Sequence, residues 1–217
     1  CKTLEAYGLN PDSFIPRRSS EGYGLSDGGL ERCLNECGKP DLMISVDCGT
    51  VSNEAIAMLK SKGIDTVVVD HHEIGPDGRP DCVALVNPKA SGHTHNYLCA
   101  AGVVFKLAHA LLKRRPLETF DLKSVLDLVA VATISDIVPL VDENRLLVRH
   151  GLRKLENSVR PGLRALLKLT GTEGRLSSSD IGFRIGPRLN AAGRMDQPEK
   201  ALEILMAECS KKALDLA

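Results

Sequence analysis

Two short stretches decide how this chain folds: residues 41–46, DLMISV, running into Asp47-Cys48-Gly49, and Asp65–Val69, DTVVV, running into Asp70-His71-His72. Each is an apolar run of strand length that stops abruptly at polar residues. Between them, residues 52–62 set Ala55, Ile56 and Leu59 at helical spacing, so the order reads strand, loop, helix, strand. A third run, residues 82–86 (CVALV), is stopped by Asn87-Pro88, because proline cannot extend a sheet ladder. Strands joined through a helix pair in parallel, since the helix carries the chain back to the starting edge.

Outward from this centre the pattern turns helical. Residues 98–114 (LCAAGVVFKLAHALLKR) predict a helix buried nearly all round, with Gly102 permitting close packing, and residues 122–134 (LKSVLDLVAVATI) predict a second, ending at Ser135-Asp136 and Pro139. Residues 144–169 are helical again, restarted by Pro161. Residues 181–185 are short and apolar, 186–194 (GPRLNAAGR) read as a glycine-rich polar loop, and 199–217 read as one final helix. The expected class is α/β, a parallel β-sheet flanked by helices and followed by a mostly helical segment. Domain limits are expected at 1–140, 141–196 and 197–217, the last opening a linking helix.

The composition agrees. A chain of 217 residues, 43% hydrophobic, can bury one sizeable core. Aromatics are 3% and tryptophan is absent, so Leu, Val, Ile and Ala must build that core, which suits helices on a parallel sheet. The 28 basic and 28 acidic residues cancel, so any nucleic acid must be gripped by local patches and metal. Seven cysteines without a CxxC pair predict reduced thiols and a cytoplasmic setting; Cys33 and Cys37, one helical turn apart, lack two further zinc ligands nearby. No apolar run of about 18 residues and no leader pattern speaks for membrane insertion or secretion. Neither GxGxxG nor a Walker sequence is present to support a generic nucleotide-binding domain.

The chemistry lies in shared placement. Asp47, then Asp70 with His71 and His72, then Asp136 each directly follow an apolar run, and in open α/β sheets ligands bind where loops leave the strand ends. Singly, each has an ordinary explanation as a cap or a surface loop. Recurrence on three elements favours a site. Carboxylate oxygens with imidazole nitrogens suit Mn²⁺ or Mg²⁺, and two such ions about 3.5–4 Å apart can clamp a phosphoryl group and activate water. Metal-assisted phosphoester hydrolysis is the expected reaction class. Arg145, Arg149 and Arg153, and then Arg160, Arg164 and Lys168, recur every four residues; such stripes either track a nucleic-acid backbone or form wetted helix faces. Arg17, Arg18 and Tyr23 form a second candidate patch, arginines for phosphate and tyrosine for stacking.

Asp70-His71-His72 after VVV resembles the signature triplet of the DHH phosphoesterases, and residues 45–56 (SVDCGTVSNEAI) and 128–140 (LVAVATISDIVPL) resemble that family's flanking motifs. Residues 15–26 (IPRRSSEGYGLS), 98–111 (LCAAGVVFKLAHAL) and 185–205 (IGPRLNAAGRMDQPEKALEIL) resemble its RecJ-type single-strand exonucleases. The resemblance implies that Asp47 bridges two Mn²⁺ or Mg²⁺ ions and that His71 and Asp136 complete the second ion's shell. It implies that His72 contacts the scissile phosphate or the metal-bound water, and that Asp70 orients a histidine. Arg188, Asn190 and Arg194 would bind substrate, the arginine forks holding phosphates.

The implied activity is 5′-to-3′ hydrolysis of single-stranded DNA in repair and recombination, with a single-strand-binding protein or helicase as a further partner. An oligonucleotide phosphodiesterase, a pyrophosphatase or a non-catalytic DNA-binding relative are the alternatives. The family's first motif, an Asp-x-Asp pair, is not found, and residues 1–8 resemble the end of the helix that follows it. The expectation is therefore a chain cut before that motif and before the C-terminal DHH-associated domain, with an incomplete two-metal site and no activity by itself.

Overall fold

A computed structural model describes every residue except His95, Glu173 and Asp196, and describes Arg194 by its backbone alone. Its strands are β1 (Leu42–Val46), β2 (Asp65–Val69) and β3 (Ala84–Val86). The α-helices in chain order are α1 (Lys2–Ala6), α2 (Arg18–Glu21), α3 (Asp27–Cys37), α4 (Asn53–Ser61), α5 (Ala100–Arg114) and α6 (Leu126–Ser135). They continue with α7 (Asp142–Glu156), α8 (Pro161–Leu169), α9 (Ser178–Asp180), α10 (Gly186–Arg194), α11 (Pro198–Met206) and α12 (Ser210–Leu216). The chain forms two compact units, Cys1–Pro16 with Glu21–Leu122, and Arg17–Ser20 with Lys123–Ala217. The second unit thus takes in α6 as well as everything after it.

In the first unit the sheet order is β1-β2-β3 and both pairings are parallel, as the helix between the first two strands predicts. The register runs Leu42↔Asp65 to Val46↔Val69, and Val67↔Ala84 to Val69↔Val86. All three strands therefore end level. The ladder extends one step further, with the Asp47 amide donating to the Val69 carbonyl at 3.0 Å and the Asp70 amide to that of Val86 at 3.1 Å. Residues 47, 70 and 87 leave the sheet side by side. Behind them α4 buries Ala55, Ile56 and Leu59, the three residues its spacing singled out, and Leu30, Ala55, Leu59 and Ile64 form a core cluster. That core makes the strand ends a fixed scaffold.

The second unit is helical, with a core that includes Leu155, Leu163, Leu166, Ile181, Ile185 and Ile204. Two glycines set its spacing. A methyl on Gly151 would overlap the Leu126 carbonyl oxygen, and one on Gly162 would overlap that of Ile204. Gly162→Ala is expected to cost about 1–3 kcal/mol through forced backbone shifts; unchanged urea unfolding would contradict this close approach.

Three expectations are corrected. Residues 186–194 are not a loop but the helix α10, which continues a π-helical stretch, Ile181–Ile185. Ser177 and Asp180 form a capping box that starts this run, and Ile181 and Ile185 are buried at 0% and 1% exposure. Burying two isoleucines outweighs a helix penalty of about 1 kcal/mol per glycine. Gly186 is required where it stands, since an added Cβ would lie 2.5 Å from the Ser135 hydroxyl.

The final helix is broken at Ala207, which turns to an extended ψ of 130°. Ala165, Ala207 and Ala213 cluster there, which lets α11 and α12 both pack on α8. The third correction concerns the second arginine stripe. Arg160 is buried, its guanidinium 3.1 Å from the Asp127 carboxylate, so it does not share the exposure of Arg164 and Lys168.

Candidate metal centre

The loop after β1 is a tight turn bought with strain. Asp47 adopts a left-handed φ of 64°, a region aspartate tolerates better than most residues because its short side chain bonds locally. Gly49 follows at φ 110°, and a Cβ there would lie 2.7 Å from the Ser45 hydroxyl and 3.1 Å from Val68 Cγ1. Only glycine lets the turn settle so close to the strands. The Asp47 carboxylate is left half exposed, with Oδ1 3.2 Å from His71 Nε2.

Asp70 sits at the other extreme, 1% exposed. It accepts from the backbone amides of Thr50 (3.1 Å), His71 (2.8 Å) and His72 (3.4 Å), and from His72 Nδ1 at 2.7 Å. Burial raises its pKa, but hydrogen bonds from the Thr50 hydroxyl, His72 and the amides of His71 and Thr50 outweigh burial and hold it below the ordinary value. Its stabilisation is therefore complete above the unfolded carboxylate pKa of about 4 and disappears as pH falls through the lower folded value. Wild type should therefore lose stability as pH falls through that window, whereas Asp70→Asn should be less stable at neutral pH and lose less in acid, which urea unfolding followed by circular dichroism at several pH values reads; an equal pH dependence in the two would contradict this role.

One donor atom each from Asp47, Asp70, His71 and His72 lies within 4.8 Å of all the others. The set is oxygen and nitrogen only, which fits Mn²⁺ or Mg²⁺ with imidazole help. Asp47 and His71 are the members best able to hold a cation, since the Asp70 oxygens already accept several hydrogen bonds. The nearby Cys48 thiol does not compete: burial, and then the charges of Asp70 and Asp47, push its pKa up to about 11. Little of it is thiolate at pH 8, so alkylation by iodoacetamide should be slower at Cys48 than at exposed Cys209, which peptide mass spectrometry resolves.

The remaining candidates belong to the second unit. Asp136 is the C-cap of α6, exposed, its amide bonded to the Ala132 carbonyl at 2.9 Å. Arg188 and Asn190 are exposed on α10, and Arg188 donates to the Arg184 carbonyl at 2.7 Å. At about 100° per residue, Asn190 and the backbone position of Arg194 share a helix face that Arg188 does not. The side chain of Arg194 lies outside the described residues. Arg17 of the second candidate patch is engaged with Glu199 at 3.2 Å, while Tyr23 is 78% exposed.

Thr50 and Asn87 are functional candidates that sequence reasoning missed. Asn87 read only as a strand stop, although its place directly after the third apolar run is equivalent to that of Asp47 and Asp70. Among the described residues no helix is long and apolar enough to cross a membrane, and all seven cysteines are free.

Comparison with known proteins places this geometry. The chain is 42% identical over 218 residues to the single-stranded-DNA-specific exonuclease RecJ of Bacillus subtilis, covering 99% of this chain and 27% of that protein. It is 36% identical to the corresponding protein of Thermus thermophilus, covering 97% of this chain and 30% of the relative. A crystal structure of exonuclease RecJ bound to manganese superposes with a TM-score of 0.88 at 35% identity, covering 99% of this chain and 54% of that one. A structure of RecJ from Thermus thermophilus in complex with Mn²⁺ gives 0.82 at 32% identity, covering 99% and 30%. The chain thus spans about a quarter to a third of these two curated relatives. The family described as DHH family, N-terminal domain, matches residues 1–133, and those residues carry the parallel sheet and the Asp70-His71-His72 triplet at the end of its central strand. This chain belongs to the DHH family.

Proposed function

We propose that this chain carries the metal-holding core of a RecJ-type exonuclease, hydrolysing phosphodiester bonds of single-stranded DNA in the 5′-to-3′ direction with Mn²⁺ or Mg²⁺. The observation that carries the reading is the convergence of Asp47, His71 and His72 around buried Asp70 at the level ends of three parallel strands. Relatives that are single-strand-specific exonucleases, and neighbours bound to manganese, support the substrate and the ion.

In this reading Asp47 and His71 hold the ion, and Asp136 joins them on the strength of its motif. Bound Mn²⁺ or Mg²⁺ supplies positive charge to the phosphoryl oxygens and makes water more acidic. His72, with Nδ1 donated to Asp70, keeps Nε2 for the scissile phosphate or the attacking water. Asp70 stays ionised and holds His72 in that tautomer. Arg188, Asn190 and Arg194 bind the DNA backbone from α10, where the planar arginine fork grips phosphate oxygens. The setting is cytoplasmic, the pathway repair and recombination, and a single-strand-binding protein or helicase is the expected partner.

Two measurements test this. Isothermal titration of the 217-residue chain with Mn²⁺ should show binding that His71→Ala weakens at least tenfold. The whole protein, given end-labelled single strands, duplex DNA and pyrophosphate, should release mononucleotides from the 5′ end of single strands. Preference for pyrophosphate would favour a pyrophosphatase, and DNA binding without turnover a non-catalytic relative; either outcome would overturn the exonuclease reading.

A further inference from the structure

The third strand ends on a side chain that the metal assignment leaves unused. Asn87 is 1% exposed and stands level with Asp47 and Asp70. Its Nδ2 donates to the Thr50 hydroxyl at 3.0 Å and to the His72 carbonyl at 2.9 Å, while its Oδ1 accepts from the Lys89 amide at 2.9 Å. The backbone amide received by Oδ1 fixes which end of the amide is which. One buried side chain therefore ties the loops after β1 and β2 to the exit of β3.

The network continues. Thr50, 0% exposed, receives the Asn87 donor and turns its own hydroxyl and amide onto Asp70, which in turn accepts from His72 Nδ1. Donors and acceptors run one way, from Asn87 through Thr50 to Asp70, and His72 closes the ring from the other side. Asn87 also holds the His72 carbonyl directly, so backbone and imidazole of the same residue are fixed by one connected set. In a buried setting such a set is rigid, because each member left unpaired would cost about 1–3 kcal/mol.

We propose that Asn87, acting through Thr50 and Asp70, is the positioning residue for the His71-His72 loop: it fixes the loop's path and the tautomer in which His72 presents Nε2. The inference rests on the proposed metal site for its consequence, but the tautomer is a property of the metal-free chain. Asn87 itself touches neither ion nor substrate in this scheme. Its effect on binding comes from keeping the donor atoms of the loop converged before any ion arrives.

The test compares Asn87→Ala and the near-isosteric Thr50→Val with Leu59→Ala, a core variant of the same unit that lowers stability without touching the network. Two readouts are taken at a temperature where circular dichroism shows each variant folded. In the metal-free chain, ¹⁵N-resolved imidazole spectra should show His72 protonated on Nδ1 in wild type and Leu59→Ala, and a mixture of tautomers in Asn87→Ala and Thr50→Val. Titration with Mn²⁺ should show a 10- to 100-fold loss of affinity in the two network variants, as expected for partners that orient ligands, and less than twofold in Leu59→Ala. If both network variants keep the wild-type His72 spectrum and bind Mn²⁺ within twofold of wild type, Asn87 is a structural cross-link only and the proposal fails. If wild type itself takes up no Mn²⁺ while Asn87→Ala still changes the His72 spectrum, the metal reading falls and the positioning role stands.

Discussion

Asp47→Asn in the whole protein is expected to reduce phosphodiester hydrolysis by more than about a hundredfold while leaving the fold unchanged, because loss of a direct ligand should exceed the 10- to 100-fold cost of losing an orienting partner. Asparagine is the informative choice. Asp47 sits at φ 64°, where alanine would add roughly 1–2 kcal/mol of backbone strain and confound the result, whereas asparagine accepts that conformation and keeps the size. The substitution keeps the shape of the side chain but removes one negative charge 3.2 Å from His71 Nε2 and exchanges one acceptor oxygen for an NH2 donor. Asp136→Asn, at the position that the resemblance of residues 128–140 to a family motif adds to the proposed ligands, should act alike. Labelled single-strand release, with circular dichroism as the check on folding, decides the matter; wild-type rates in either variant would remove that residue from the metal site.

The second large effect concerns stability. Arg160→Met should destabilise the chain by about 3–5 kcal/mol, since it strands the Asp127 carboxylate in the interior. Asp127 is 1% exposed, receives Arg160 Nε at 3.1 Å and the Ser158 hydroxyl at 2.9 Å, and is the one charged residue of α6. Arg160 is further bound to the Ser124 carbonyl at 3.0 Å. A buried pair is costly to break and often inexpensive to replace outright. The double variant Asp127→Leu with Arg160→Met should therefore recover most of the loss in urea unfolding. A single variant as stable as wild type would mean that the pair is not buried in solution.

How much of this was legible beforehand differs by element. The strands 41–46 and Asp65–Val69 announce themselves by length, β-branching and abrupt polar stops, and the helix between them predicts parallel pairing. Asp47, His71 and His72 could be picked out because they follow those runs directly. Other assignments failed for one reason. GPRLNAAGR carries local loop signals, yet α10 forms because Ile181 and Ile185 upstream are buried and the helix runs on from them. Arg160 has the spacing of an exposed stripe, yet it turns inward to a carboxylate 33 residues earlier in the chain.

Sequence by itself thus determined the parallel α/β core, the family triplet and the residue types of a metal site, all of which depend on local runs and short spacings. Tertiary structure alone decided that the three strands end level, that Asp70 is sealed among donors while Asp47 remains half exposed, and that Asn87 joins them. Register, burial and hydrogen-bond partnership are relations between segments far apart in the chain, and their energies are settled only when those segments pack together.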